Sequence, residues 1–257
     1  ISEKYPEAVD HGEAAVDVAI IDAMCVFHSF RPIADPDEPY PTGTQLVYHV
    51  WRELIRRLVT GGGDHVAVLC FDQNEHTPAP KTVEHRTRDS RTDQADDPAS
   101  MVITDDMLPS PWESVLKDRN GRSIICQYVR DKILERFATS AIPENLSIAV
   151  YGIGDTPVVA WGKSHPKNGQ ITHIGREALN PDIGEADLSM ASLCSYFQRD
   201  LGYESVVINT VDTDLVPIML LQSDMASKKT FVDLYYLKKG AGRVSTVIHV
   251  EKLRESI

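Results

Sequence analysis

The sequence predicts an α/β fold with a mainly parallel central sheet flanked by helices. Three observations predict it. Short apolar runs at 16–23, 65–72, 146–153 and 205–210 read as strands buried on both faces. Helical spacing separates the first two runs, so a right-handed parallel crossover should join them. Acidic residues gather where those strands end, which is the ligand side of an open α/β sheet.

The elements follow in order. Residues 1–15 are polar and read as a lead-in segment, and 16–257 as a single domain. The strand 16–23 closes on Asp22. Leu46, Val47, Val50, Trp51, Leu54, Ile55 and Leu58 then repeat with helical spacing over 44–59, and Gly61, Gly62 and Gly63 stop that helix. The glycines lack the Gly-Lys-Ser/Thr of a phosphate loop. The strand 65–72 closes on Asp72. Residues 73–122 begin basic and turn rich in Asp, Pro and Ser, which predicts a lid-like insertion. Ile124, Tyr128, Ile133 and Phe137 restore helical spacing over 123–137, and 146–153 is a strand. A second insertion, 155–184, holds a hairpin over 157–175 that turns at 163–169. Residues 185–201 form a helix and 205–210 a strand. Residues 215–222 form a short helix with Pro217 in its first turn, where proline is tolerated. Strands over 230–237 and 244–250 finish the chain.

Composition narrows the class. The chain has 257 residues and 42% hydrophobic content, which suits one large α/β domain. No apolar run is long enough for a bilayer, so no membrane partner is expected. Cys25, Cys70, Cys126 and Cys194 are far apart in apolar surroundings and form no CxxC pair. They read as reduced, buried thiols of an intracellular protein of nucleus, cytoplasm or organelle. The net charge of −12 argues against indiscriminate nucleic-acid binding. The charge is uneven, however: Lys81, Arg86, Arg88 and Arg91 cluster after Asp72, and residues 225–257 carry seven Lys/Arg against three acids.

Asp22, Asp72, Glu185, Asp187, Asp212 and Asp214 are the candidate metal ligands. Unpaired carboxylates on one sheet edge repel one another, and a hard divalent cation relieves that repulsion. Each also has a structural role open to it. Asp22, Asp72 and Asp212 can cap the segments that follow, and Glu185, Asp187 and Asp214 suit a first helical turn. Those roles do not explain why all of them sit at one end of one sheet. Trp112, Arg119 and Arg122 form either a stacking edge for nucleic acid or, with Trp112 as a packing anchor, the attachment of the lid. His76 and His85 lack paired ligand spacing and read as incidental.

These residues resemble a family. Ile20-Ile21-Asp22-Ala23-Met24 with Phe27 looks like the first metal motif of the flap endonucleases and related PIN-like 5′-nucleases. Phe71-Asp72 followed by Lys81 and Arg86 resembles the second motif. Glu185-Ala186-Asp187 resembles the third, and Asp212-Thr213-Asp214 the Asp-x-Asp motif before a short helix. The motifs occur in the family's order over residues 16–224. Residues 155–184 replace what is a short link in the family. The family's DNA-gripping element would follow the last strand, beginning near Ile257, so its final metal-site Asp is not assigned. Asp233, inside a strand, is a poor substitute.

The resemblance implies a structure-specific nuclease that hydrolyses phosphodiester bonds of branched or single-stranded DNA, with RNA as the alternative. It implies two Mg²⁺ or Mn²⁺ ions. Asp22, Asp72, Glu185 and Asp187 would hold one, and Asp212 and Asp214 would help hold the second. Lys81 and Arg86 would stabilise the scissile phosphate, with Arg88 and Arg91 extending the nucleic-acid contact. The alternative is a catalytically silent nuclease-fold subunit acting as a protein or nucleic-acid interaction module, with a protein partner reached through its insertions or C-terminal region. A phosphatase built on Asp212 and Asp214 fits less well, because that chemistry places its Asp-x-Asp on the first strand.

Overall fold

The computed structural model describes residues 4–10, 16–30, 42–58, 65–71, 102–109, 111–139, 146–152, 158–162, 172–173, 186–221, 228–238 and 242–257. Asp72, Lys81, Arg86, Arg88, Arg91 and Glu185 lie outside these residues. So do the glycine triplet, His76, His85, the first part of the lid and the turn of the hairpin.

Among the described residues, nine strands form one mixed sheet. They are β1 (Val9–Asp10), β2 (Val18–Asp22), β3 (His65–Cys70), β4 (Leu146–Tyr151), β5 (Val158–Gly162), β6 (Thr172–His173), β7 (Ser205–Thr210), β8 (Lys229–Lys238) and β9 (Gly242–His249). Their spatial order is β1-β9-β8-β7-β2-β3-β4-β5-β6. The five central strands, β8-β7-β2-β3-β4, are mutually parallel, and the flanking pairs are antiparallel. Every residue of β2 and β3 is buried. That is why these strands read as unbroken apolar runs: helices cover both faces of a parallel sheet.

The helices are α1 (Ala23–Ser29), α2 (Gly43–Leu58), α3 (Trp112–Lys117), α4 (Arg119–Thr139), α5 (Ala186–Ser195), α6 (Leu215–Leu221) and α7 (Val250–Ser256). Strand alternation divides the core between two faces. Ile21, Leu69 and Val150 pack with Phe27, Leu54, Trp112 and Ile133 beneath α1 to α4. Ile20, Val68 and Ile208 pack with Met190, Phe197, Met219 and Leu253 beneath α5 to α7. The four cysteines are buried thiols outside any disulfide, as expected. No helix among the described residues is long and apolar enough to cross a membrane.

Three boundaries differ from the sequence reading. Part of the lead-in segment belongs to the sheet: Val9 pairs with Ile248, and His249 Nε2 lies 2.6 Å from an Asp10 carboxylate oxygen. Partners almost at the other end of the chain stabilise that strand, so its local composition is polar. The lid was expected to run to Arg122, but its last part is helical and packed into the body. Leu108, Trp112, Val115 and Leu116 are buried, and α4 starts at Arg119. Asp118 caps that start by accepting from the Gly121 N–H, and the polar first turn hid the helix from an apolar periodicity search. Trp112 is 4% exposed and donates its indole N–H to the Phe27 carbonyl at 3.1 Å, which rules out the stacking edge and leaves the packing anchor. Arg122 donates to the carbonyls of Leu116 and Lys117, closing α3. Last, α5 stops at Ser195 and gives way to a π turn, Tyr196–Asp200, instead of continuing to 201.

Candidate metal centre

The carboxyl edge of the parallel strands is built from chain ends that hold one another. Asp22 ends β2 and is the N-cap of α1. Its Oδ1 accepts from the Met24 N–H at 2.8 Å and the Cys25 N–H at 3.3 Å. Its Oδ2 accepts from the Cys25 thiol at 2.8 Å and the Thr210 hydroxyl at 3.3 Å. Asp22 is therefore both the cap allowed by sequence and a strand-end acid facing the next strand.

Thr210 ends β7, which lies beside β2 with Ile21 opposite Asn209. Its hydroxyl also accepts the Asp212 N–H at 3.0 Å, so one buried oxygen links the Asp22 carboxylate to the Asp212 backbone. Asp212 Oδ1 accepts the Asp214 N–H at 2.9 Å in an Asx turn that leads into α6. Both carboxylates are exposed, and neither has a basic partner among the described residues. The structure thus brings Asp22, Asp212 and Asp214 to one end of one sheet.

Asp187 sits in the first turn of α5. Two residues on, Ser189 hydrogen-bonds Tyr151 at the end of β4. Past the helix, Gln198 donates to the Lys229 carbonyl at the start of β8. The segment 186–200 therefore runs from the carboxyl edge back to the amino edge, which places Asp187 on the same edge as Asp22. The end of β3 is fixed there too. The Phe71 N–H bonds the Tyr151 carbonyl at 2.8 Å, and Gly152 (φ 104°) lies so close to Phe71 that a Cβ would collide with its carbonyl. Asp72 follows directly.

Asp233 is 1% exposed and pairs in register with Asn209, one residue short of Thr210. Alternation turns it to the opposite face from Asp22. It remains outside the cluster, as its strand position implied.

Among the described residues no group of three or more His, Cys, Asp or Glu is arranged to hold a metal ion. Carboxylate oxygens are hard donors of the kind Mg²⁺ and Mn²⁺ take, and Asp212 and Asp214 stand exposed at this edge.

Sequence reasoning missed Cys25 and Thr210. Cys25 is the N3 residue after the Asp22 cap, and Thr210 stands two before Asp212, a hydroxyl placed to close a local turn. Burial pushes the Cys25 thiol well above its ordinary range, and the Asp22 charge and hydrogen bond add to the shift. The protonated thiol acts as a hydrogen-bond donor.

A Ser–His pair is also present but is not an activated nucleophile. Ser29 Oγ lies 3.0 Å from His49 Nε2, yet the hydroxyl already donates to the Val26 carbonyl at 2.7 Å. With its proton on the Val26 carbonyl, the Ser29 hydroxyl is an acceptor toward the imidazole in this arrangement, so His49 is not placed to take the Ser29 proton. Burial holds His49 below its ordinary 6.5. Unfolding in mild acid therefore takes up a proton, so stability falls as the pH drops below 6.5. Melting temperature measured from pH 7 to pH 5 is expected to fall less steeply in His49→Gln than in wild type. Equal slopes would contradict this.

No protein-family model and no curated protein matches the chain. The functional reading rests on the residues and their geometry.

Proposed function

We propose that the protein is a divalent-metal-dependent nuclease of the 5′-nuclease type, acting on phosphodiester bonds of DNA or RNA. The observation that carries this reading is the link from Asp22 through Thr210 to Asp212 at the carboxyl ends of adjacent parallel strands. Caps alone require no such convergence. Asp214 and Asp187 lie at the same edge, and Asp72 and Glu185 flank described residues on it in sequence.

Asp212 and Asp214 would help hold one of two divalent cations through their exposed oxygens, and Asp22 and Asp187, with Asp72 and Glu185, would hold the other. Such cations supply Lewis-acid activation of water and neutralise developing phosphate charge. Lys81 and Arg86 would pair with the scissile phosphate, with Arg88 and Arg91 along the backbone. Asp22, half of whose acceptor capacity is taken by backbone N–H groups, would keep one orientation while the exposed acids bind.

Labelled flap, single-stranded and duplex oligonucleotides, incubated with Mg²⁺ or Mn²⁺, test this reading. Metal-dependent cleavage that stops on chelation is the expected result. No cleavage of any substrate with either ion refutes it. That result would favour a silent nuclease-fold subunit, a reading supported by the burial of Asp22 and by the hydrogen bonds its two oxygens accept from Met24, Cys25 and Thr210.

A further inference from the structure

We infer that Thr210 and Cys25 are positioning residues that hold the turn carrying Asp212 against the end of β2, where Asp22 stands, both acids belonging to the metal centre proposed above. This rests on the metal-site reading and names side chains that are not themselves ligands in it.

The two residues close a ring of hydrogen bonds. From Asp22 Oδ2, one arm runs through the Thr210 hydroxyl (3.3 Å) to the Asp212 N–H (3.0 Å). The other runs through the Cys25 thiol (2.8 Å) to the Val211 N–H, which donates to Sγ at 3.2 Å. Each group is donor and acceptor at once, and each joins the end of β2 to the turn after β7. Thr210 is fully buried and Cys25 is 3% exposed, so water does not compete for these bonds. A β-branched threonine also has few rotamers, which fixes where its hydroxyl points. Exposed Asp212 has no other described tie to β2.

Partners that orient metal ligands typically change metal affinity or activity by about 10–100-fold when removed. Thr210→Val keeps the shape and deletes both bonds of its arm. Thr210→Ser keeps the hydroxyl. Cys25→Ala removes the second arm and serves where Thr210→Val fails to fold. Mn²⁺ binding is read by electron paramagnetic resonance of the free ion, with no nucleic acid present, and folding by thermal melting.

The expected result is Mn²⁺ binding by wild type and Thr210→Ser. Folded Thr210→Val or Cys25→Ala should bind about 10-fold or more weakly. Wild-type affinity in a folded Thr210→Val or Cys25→Ala overturns the positioning role and leaves the metal site standing. An affinity loss in Thr210→Ser equal to that in Thr210→Val also overturns it, because the hydroxyl would then not be what matters. Absence of Mn²⁺ binding by wild type refutes the metal site itself, and the positioning role with it.

Discussion

Asp212→Asn is expected to abolish metal-dependent cleavage while leaving the protein folded. The substitution removes one negative charge and keeps Oδ1, so the Asx bond to the Asp214 N–H survives. The backbone bond from the Asp212 N–H to Thr210 is untouched. Asp212 is exposed, so no buried group is orphaned. Loss of an indirect partner of a metal site costs about 10–100-fold, and loss of a ligand charge should exceed roughly 100-fold in cleavage rate. Melting temperature should hold or rise, because one member of a crowd of acids is neutralised. Steady cleavage in the variant would remove Asp212 from the mechanism. A steep fall in melting temperature would make it a structural cap.

Trp112→Ala is expected to produce a large loss of stability. The indole, at the start of α3, is buried against the end of α1, meets Phe30 edge-on at 5.6 Å between centroids, and donates to the Phe27 carbonyl. Truncating a buried Trp costs about 3–5 kcal/mol through lost burial and the cavity left behind. In a chain of this size that lowers the melting temperature by roughly 10 °C. Trp112→Phe keeps most of the packing and gives up the hydrogen bond, so it should lose about 1–3 kcal/mol. Thermal or denaturant unfolding of the two variants checks the order. Equal, small losses would mean that α3 is not anchored as described.

Legibility of the fold follows burial. β7 is readable residue for residue because its core residues face helices on one side and packed side chains on the other. β1 is not readable, because Val9 and Asp10 gain their partners from β9, almost the whole chain away. α3 is hidden among prolines and acids, since its value lies in where Trp112 reaches. The site divides in the same way. Acids at strand ends are visible in the sequence because strand and acid are neighbours. The thiol and hydroxyl that join them act across 185 or more residues, as in the bond from the Val211 N–H to Cys25. No local pattern encodes that distance. The local hint was Thr-x-Asp at the end of a strand.

The most direct measurement is an anomalous-scattering map from crystals of the protein grown or soaked in Mn²⁺. The account predicts density at the carboxyl edge of β2 and β7, about 2.1 Å from carboxylate oxygens of Asp212 or Asp214. It also predicts that this density disappears in Asp212→Asn. Density elsewhere on the protein with none at this edge, or none at saturating Mn²⁺, would contradict it.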